Sequence, residues 1–297
     1  MQKKIASGAG RPWVELAVGL VVVAVCSSVV SALPAMGPPK ALVGQDQWAI
    51  GLGYSYSQMD LEASGKSRED PGSEVWGPWL GSKHDIQDLT SSIVLGQLGY
   101  GVAENLDVFV CLGVSDVQDD MKESVAGAYP GDKYTGLDSG FGLAWGLGAR
   151  ATFLQDGDVT WGGLIQVIWE NPSEGDIKLS PEPPTLPNPL TGDAELDLRE
   201  IQVAVGPTLQ LQDFCIYGGP FLHFVDGDIE ASVSGLDSSG VPPLERVELS
   251  EDIQEESVFG VYAGLQGEAS ENMSWYAEYR MTGDAWGVGI GAVRRFK

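Results

Sequence analysis

Cysteine is scarce in this chain, with three in 297 residues. Cys26 falls in an N-terminal apolar run, so Cys111 and Cys215 are all that remain beyond it. Two cysteines do not make a disulfide scaffold, and two buried free thiols are expected. Histidine is scarcer still, at two. No CxxC, HExxH, P-loop or GxSxG pattern is present, which removes the motif-borne metal centre, phosphate cradle and elbow nucleophile. No cofactor and no metal site are expected. Basic residues are also few, 17 Lys and Arg against 42 Asp and Glu. That balance repels nucleic acid, which is excluded as a partner. Beyond residue 33 there is no apolar run long enough for a spanning helix and no run of helical period.

The N-terminus is set apart from the rest. Lys3, Lys4 and Arg11 form a basic stretch, an apolar run follows from about Leu16 to Val30, and Val30-Ser31-Ala32 offers the small residues of a cleavage site. Leu33-Pro34-Ala35 is a second choice. These features read as a secretory signal peptide over residues 1–32. An N-terminal anchor is the alternative; the run falls short of the ~20 residues of a spanning helix, and Glu15 sits at its edge. Val25 before Cys26 is not the small residue that lipid attachment requires. Without the leader, 14 basic residues face 41 acidic ones. Residues 33–46 contain prolines and read as a linker, and residues 47–297 as one domain.

That domain is written in period two, the signature of strands. Trp48, Ile50, Leu52, Tyr54 and Tyr56 alternate with Ala49, Gly51, Gly53, Ser55 and Ser57. The cleanest case sets Phe141, Leu143, Trp145 and Leu147 against Gly140, Gly142, Ala144 and Gly146. Counting such runs gives about ten strands, the last two forming a hairpin over residues 274–281 and 285–296. Asp156-Gly157 is a hairpin turn. Ile93 and Leu95 disturb the second strand, and Pro220 disturbs the seventh, because proline lacks a ladder donor. The polar stretches 60–88, 116–138, 171–192 and 226–255 read as loops. Short turns then lie at one end with both termini, and long loops at the other.

The apolar face meets either a core or lipid. Four features favour lipid. The opposite face is Gly, Ala, Ser and Gln with few charges, which suits a concave interior. Aromatics gather at strand ends, as girdles at two interfaces would. The strands have about the ~9–11 residues that cross a bilayer when tilted. The exported chain ends one residue after Phe296 on an alternating strand. The expected fold class is all-β, an antiparallel up-and-down transmembrane β-barrel with short periplasmic turns and long external loops. Closure is required because unpaired backbone groups in lipid cost several kcal/mol each.

The leader, the Gly-rich amphipathic strands and the terminal Trp286-x-Val288-x-Ile290-x-Ala292-x-x-x-Phe296 pattern resemble bacterial outer-membrane β-barrel proteins, with the small OmpA-type and opacity-protein-like group nearest. The resemblance covers nearly the whole chain after the leader. It implies residence in the outer membrane, contact with outer-membrane lipid, a monomeric barrel, and recognition of Phe296 by the barrel-assembly machinery as an assembly signal. Lys297 after the aromatic and Arg294 at an apolar position depart from the pattern. Arg294 is expected to snorkel to the periplasmic interface.

The residues that carry charge on the inward face are Arg150, Glu170, Glu200, Glu268, Glu278 and Arg280, with Gln97, Gln166, Gln202 and Gln266 beside them. They read either as a salt-bridged plug or as the lining of a narrow, porin-like diffusion channel; ten strands enclose little more than side chains. A third reading is enzymatic. Omptin proteases are ten-stranded barrels with an Asp pair and an Asp–His pair at the loop end, and His223, Asp226, Asp228, Asp116, Asp119 and Asp120 lie there. The Asp-x-Asp and close Asp-x-His spacings are absent, so no catalytic residue is assigned. The acidic stretches 226–230 and 251–256 lack Ca²⁺-loop spacing and read as solvated surface. The expected role is structural or surface-exposed, with at most limited passive diffusion.

Overall fold

The computed structural model describes residues 33–70, 75–124, 132–181, 190–236, 244–255 and 257–296. The leader and Lys297 lie outside them. Among the described residues there are eleven strands: β1 (Trp48–Asp70), β2 (Leu80–Ala103), β3 (Leu106–Ser124), β4 (Asp132–Asp156), β5 (Val159–Pro181), β6 (Leu190–Gln210), β7 (Phe214–Leu236), β8 (Leu244–Glu255), β9 (Phe259–Ser270), β10 (Met273–Met281) and β11 (Ala285–Phe296). All pairings between them are antiparallel. Ten of them close a ring in which β7 pairs with β9 and β11 returns to β1, with Trp48 opposite Phe296 and Tyr54 opposite Ile290. The turn after β4 has Gly157 at φ 57°, the left-handed conformation that the Asp-Gly pair supplies.

The expected membrane strands are all present, and their faces are as the alternation predicts. Ile50, Leu52, Val110, Leu112, Leu143 and Val261 stand exposed on the outer wall. Aromatic pairs bracket this belt: Trp48 with Tyr100 at 4.8 Å near the termini, and Trp145 stacked on Trp169 at 4.3 Å toward the other end. A belt of that size on a closed, edgeless barrel belongs in a bilayer.

The long loops are corrected. Most of each polar stretch is strand. β1, β5 and β7 have 23 residues each, roughly 75 Å of chain at ~3.3 Å per residue, about twice what a tilted crossing needs. The stretch 226–255 holds the upper half of β7 and all of β8, which pairs with β7 on one side and β1 on the other. Above the membrane the ring therefore contains eight strands, β1 to β8, and β9, β10 and β11 stop below it.

This upper cuff reverses the chemistry of the wall without changing its parity. In β6 the outward residues run from Val205, Val203 and Ile201 to Arg199, Asp197 and Glu195. The inward ones run from Thr208, Gln202 and Glu200 to Leu198, Leu196 and Ala194. Met59, Leu61, Ile86, Leu89, Val117 and Ile253 join those leucines in one buried cluster. Eight strands leave an interior that side chains just fill, so the cuff has a solid apolar core like that of a water-soluble barrel.

On the cuff's outer face, Asp228 lies opposite both Asp197 and Asp252. Burial, a hydrogen bond with Asp252 and the charges of Asp252, Asp226 and Asp197 raise the Asp228 carboxyl above its usual range. An acid raised in the folded state weakens the fold when ionised, so stability increases as the pH falls through the folded value. Intrinsic-rate-corrected amide exchange in β7 and β8 should therefore slow as the pH falls from neutral toward the ordinary carboxylate range, and Asp252→Asn should flatten that response.

Candidate functional site

Ten strands enclose slightly more space than their own side chains fill, and the excess holds one chain. Residues 33–46 are not a linker outside the barrel. They run through its lumen from the level of Ser57 down to the periplasmic end, where Asp46 donates its N–H to the Gly101 carbonyl and the chain enters β1. Leu33 and Met36 have no solvent exposure, and Val43 is buried.

A chain inside a lumen must find partners for its peptide groups. Pro34, Pro38 and Pro39 have no N–H to satisfy. Lys40 N turns back to the Pro38 carbonyl at 2.9 Å, and most of the other donors go to the wall. Leu33 N donates to Ser57 Oγ, and Ala35 N to Ser55 Oγ at 2.6 Å. Met36 N and Gly37 N donate to the two oxygens of Glu278 at 2.7 and 2.8 Å. Ala41 N reaches Thr152 Oγ1, and Leu42 N and Val43 N share Asp107 Oδ2 at 2.6 and 3.1 Å. In return, Arg280 Nη1 donates to the Pro34 carbonyl and Arg150 Nη2 to the Met36 carbonyl at 3.0 Å. Gln166 Nε2 also reaches the Pro34 carbonyl, at 3.3 Å. Hydrogen bonds to charged groups are the stronger kind, and Glu278, Asp107, Arg280 and Arg150 supply them here. Apolar wall residues fill the rest: Ile93, Phe109, Ile168 and Tyr276 pack in one cluster with Met36 and Val43. Ile93 disturbs the strand pattern because it points at this segment.

Above this luminal segment, the strap, lies a layer of carboxylates. His223 Nε2 is 2.9 Å from Glu200 Oε2 and its Nδ1 is 2.8 Å from Glu255 Oε2, all fully or almost fully buried. Thr282 Oγ1, in the β10–β11 turn, donates to Glu255 Oε1 at 3.3 Å. The Glu170 carboxyl lies near that of Glu200, and Ser91 Oγ donates to Glu170 Oε2 at 3.1 Å. One interior void, lined by Ala35, Gln97, Cys111 and Tyr276 among others, has about 30 Å³, room for one water molecule.

Of the predicted lumen residues, Arg150, Glu170, Glu200, Glu278 and Arg280 are inside and buried. They do not form the mutual ion-pair network expected. Arg280 Nη1 and Glu278 Oε1 are 3.4 Å apart, but both mainly bind the strap. Glu268 is not enclosed: it keeps the register opposite the buried Ser274 but lies past the last pairing of β9 with β7, exposed at the periplasmic rim, where Arg295 Nη2 is 3.3 Å from it. Ser55, Ser57, Asp107, Thr152 and Glu255 were missed, because small polar residues on a lumen face carry no signal until the strap is seen. Phe296 faces outward at the foot of β11, with the Arg294 guanidinium 5.4 Å above its ring. Cys111 and Cys215 are both buried and free.

The enzymatic reading finds no matching geometry at His223. This residue points into the sealed interior, whereas Asp226 and Asp228 of the same strand face outward. A general base must reach its substrate's proton, and His223 is completely enclosed.

Glycine makes room for the strap. A Cβ at Gly289 would lie 2.7 Å from the Cβ of Ala35. Gly289→Ala should lower stability by about 1–3 kcal/mol, the usual range for overpacking. Adding Ala35→Gly in the same chain should recover most of that loss. Urea midpoints of the four proteins in detergent close the double-mutant cycle.

No protein-family model matches the chain, and no curated protein matches it significantly. Solved structures align over most of its length. The outer membrane protease OmpT of Escherichia coli is 11% identical, covers 88% of this chain and 96% of its own, and has a TM-score of 0.43. The translocator domain of the autotransporter NalP of Neisseria meningitidis is 11% identical over 96% and 97% of the two chains, at a TM-score of 0.37. Ail, the attachment invasion locus protein of Yersinia pestis, is 12% identical over 85% and 99%, at 0.26. The closed ring, its apolar belt and its aromatic girdles carry the assignment. The molecule is an integral outer-membrane β-barrel. At such identities and scores, the roles of those proteins do not transfer to this one.

Proposed function

We propose that this protein is a closed barrel whose role is structural and surface-directed rather than transport. The observation that carries the reading is the strap: residues 33–44 occupy the lumen with most of their N–H groups matched to wall side chains, beneath a cuff whose interior is a packed apolar core. A diffusion channel needs a continuous water path, and a void of one-water size does not supply it. The cuff carries the exposed chemistry. An open external groove of about 450 Å³ on it is lined by Trp79, Glu174, Glu195, Glu230 and Glu248, and it faces whatever the surface meets. Outer-membrane lipid covers the belt, and the outward Phe296 supports a role for this residue as the signal read during barrel assembly. The ring closes on itself within one chain, which supports a monomer. Planar-bilayer recording tests the reading: the intact protein should give no unitary current steps, and steady single-channel steps would overturn it.

A further inference from the structure

The top of the strap ends in an unusual place. Leu33 is fully buried and belongs to the apolar core of the cuff, together with Met59, Leu61 and Ala285. Its N–H donates to Ser57 Oγ inside the barrel. Side chains fill the interior above it. A chain continuing upward from Leu33 would have to displace that core, and one turning back would have to share the lumen with the strap.

The same level holds the carboxyls of Glu170, Glu200 and Glu255, faced by His223 and by the Arg280 guanidinium, whose charge acts on Glu200. Ser57 lies directly opposite Ser91, and cross-strand neighbours of this kind have Cβ atoms ~5 Å apart. Ser91 Oγ contacts Glu170 Oε2, and the Glu170 carboxyl lies near that of Glu200. Glu170 has no solvent exposure, and its Oε1 has no hydrogen-bond partner among the described residues. Buried carboxylates need partners of opposite charge. Here His223, between Glu200 and Glu255, is one such partner.

We propose that signal peptidase cleaves between Ala32 and Leu33, and that the α-ammonium so created at Leu33 is a built-in counter-ion of the Glu170 and Glu200 layer, sealed inside the barrel. The reaction is a hydrolysis. Water adds across the Ala32–Leu33 amide, its hydroxyl completes the Ala32 carboxyl group, and the Leu33 nitrogen gains a hydrogen and then a proton from solvent. This single cut makes Leu33 the first residue of the luminal segment. It also delivers one positive charge to the level of the unpartnered Glu170 oxygen. The inference rests on the leader reading and goes beyond the closed-barrel reading.

The test uses the full chain exported in a Gram-negative host and purified folded from its membranes. N-terminal sequencing should return Leu33; any other start overturns the proposal. Reductive dimethylation with formaldehyde and cyanoborohydride, followed by peptide mass mapping, then reports amine access. Lys83, whose side chain is 61% exposed, serves as the internal standard. The Leu33 amine should be modified at least about tenfold more slowly than Lys83 in folded protein, as protection by structure requires, and at a similar rate in urea. Equal rates in folded protein overturn the proposal and leave the closed-barrel reading intact, because that reading is decided by conductance. Glu170→Gln should speed Leu33 modification severalfold with Lys83 unchanged, and no change would sink the counter-ion role. Should that variant not fold, Ser57→Ala decides the point. It removes the Leu33 N–H acceptor without unpairing a charge, and an unchanged Leu33 rate there would again overturn the proposal.

Discussion

Deleting residues 33–43 should flood the lower lumen with water yet leave the barrel electrically silent. The two closures are independent. The strap fills the ten-stranded part, and the apolar core of the cuff fills the eight-stranded part. Without the strap, Asp107, Glu278, Arg150 and Arg280 lose their peptide partners but gain water, so their desolvation is relieved rather than worsened. The backbone ladder in the membrane does not depend on the strap, and the variant should keep its heat-modifiable gel mobility. Cys111 faces the lumen, beside Gln97 and Tyr276. In the intact chain it should resist a water-soluble maleimide; an opening free energy of about 4 kcal/mol would slow it roughly a thousandfold. In the deletion it should react at close to the rate of an exposed thiol. Channel steps in the deletion would show that the cuff core does not seal, and continued resistance of Cys111 would show that the strap does not fill the lumen.

The second large effect concerns Arg280. It is completely buried, with one guanidinium nitrogen on the Pro34 carbonyl and 3.4 Å from Glu278. Arg280→Ala leaves the Glu278 carboxylate enclosed beside Tyr217, with its cation gone. Breaking a buried pair in this one-sided way costs about 3–5 kcal/mol. Arg294→Ala provides the contrast. That arginine is exposed on the outer wall over Phe296, where a cation–π contact contributes ~0.5–1 kcal/mol. The two substitutions remove the same side chain from neighbouring strands, and urea midpoints followed by tryptophan fluorescence should separate them clearly. Similar shifts for both would mean that Arg280 is not part of a dry site.

The membrane half of this architecture was legible because lipid forces a strict pattern. A residue such as Leu112 or Val261 on the outer wall has no polar substitute, and Gly, Ser and Ala opposite it mark the crowded side. The cuff was written in the same parity with the opposite chemistry. Leu196 and Leu198 keep step with Gln202 and Glu200, and Asp197 and Arg199 keep step with Ile201 and Val203. A reading that treats the apolar face as the lipid face sees the pattern end at Arg199, where only the solvent has changed. Leu249 and Ile253 gave the same signal for β8 inside a stretch whose acidity suggested loop. The strap was obscured for a different reason. Prolines usually mark exposed connections, but here they lessen the number of donors that a buried chain must satisfy. Its anchors, Asp107 and Thr152, sit in the barrel wall and acquire meaning only from the Ala41, Leu42 and Val43 amides. Glu268 shows the limit of parity itself, since it keeps step with the inward Ser274 yet lies at the rim, where the same face is open to solvent.

The step from ten strands to eight acts as a waterline. Just below it the outer wall carries Phe224 and Ile201, and just above it Asp226 and Arg199. Sinking the barrel by one residue pair would carry that Asp–Arg pair into hydrocarbon, where a charge costs up to ~2–4 kcal/mol, depending on depth. Raising it by the same amount would lift aromatic surface into water. Immersion depth is thereby fixed to within a few ångströms, and a bilayer of different thickness must stretch or thin around the barrel rather than let it float.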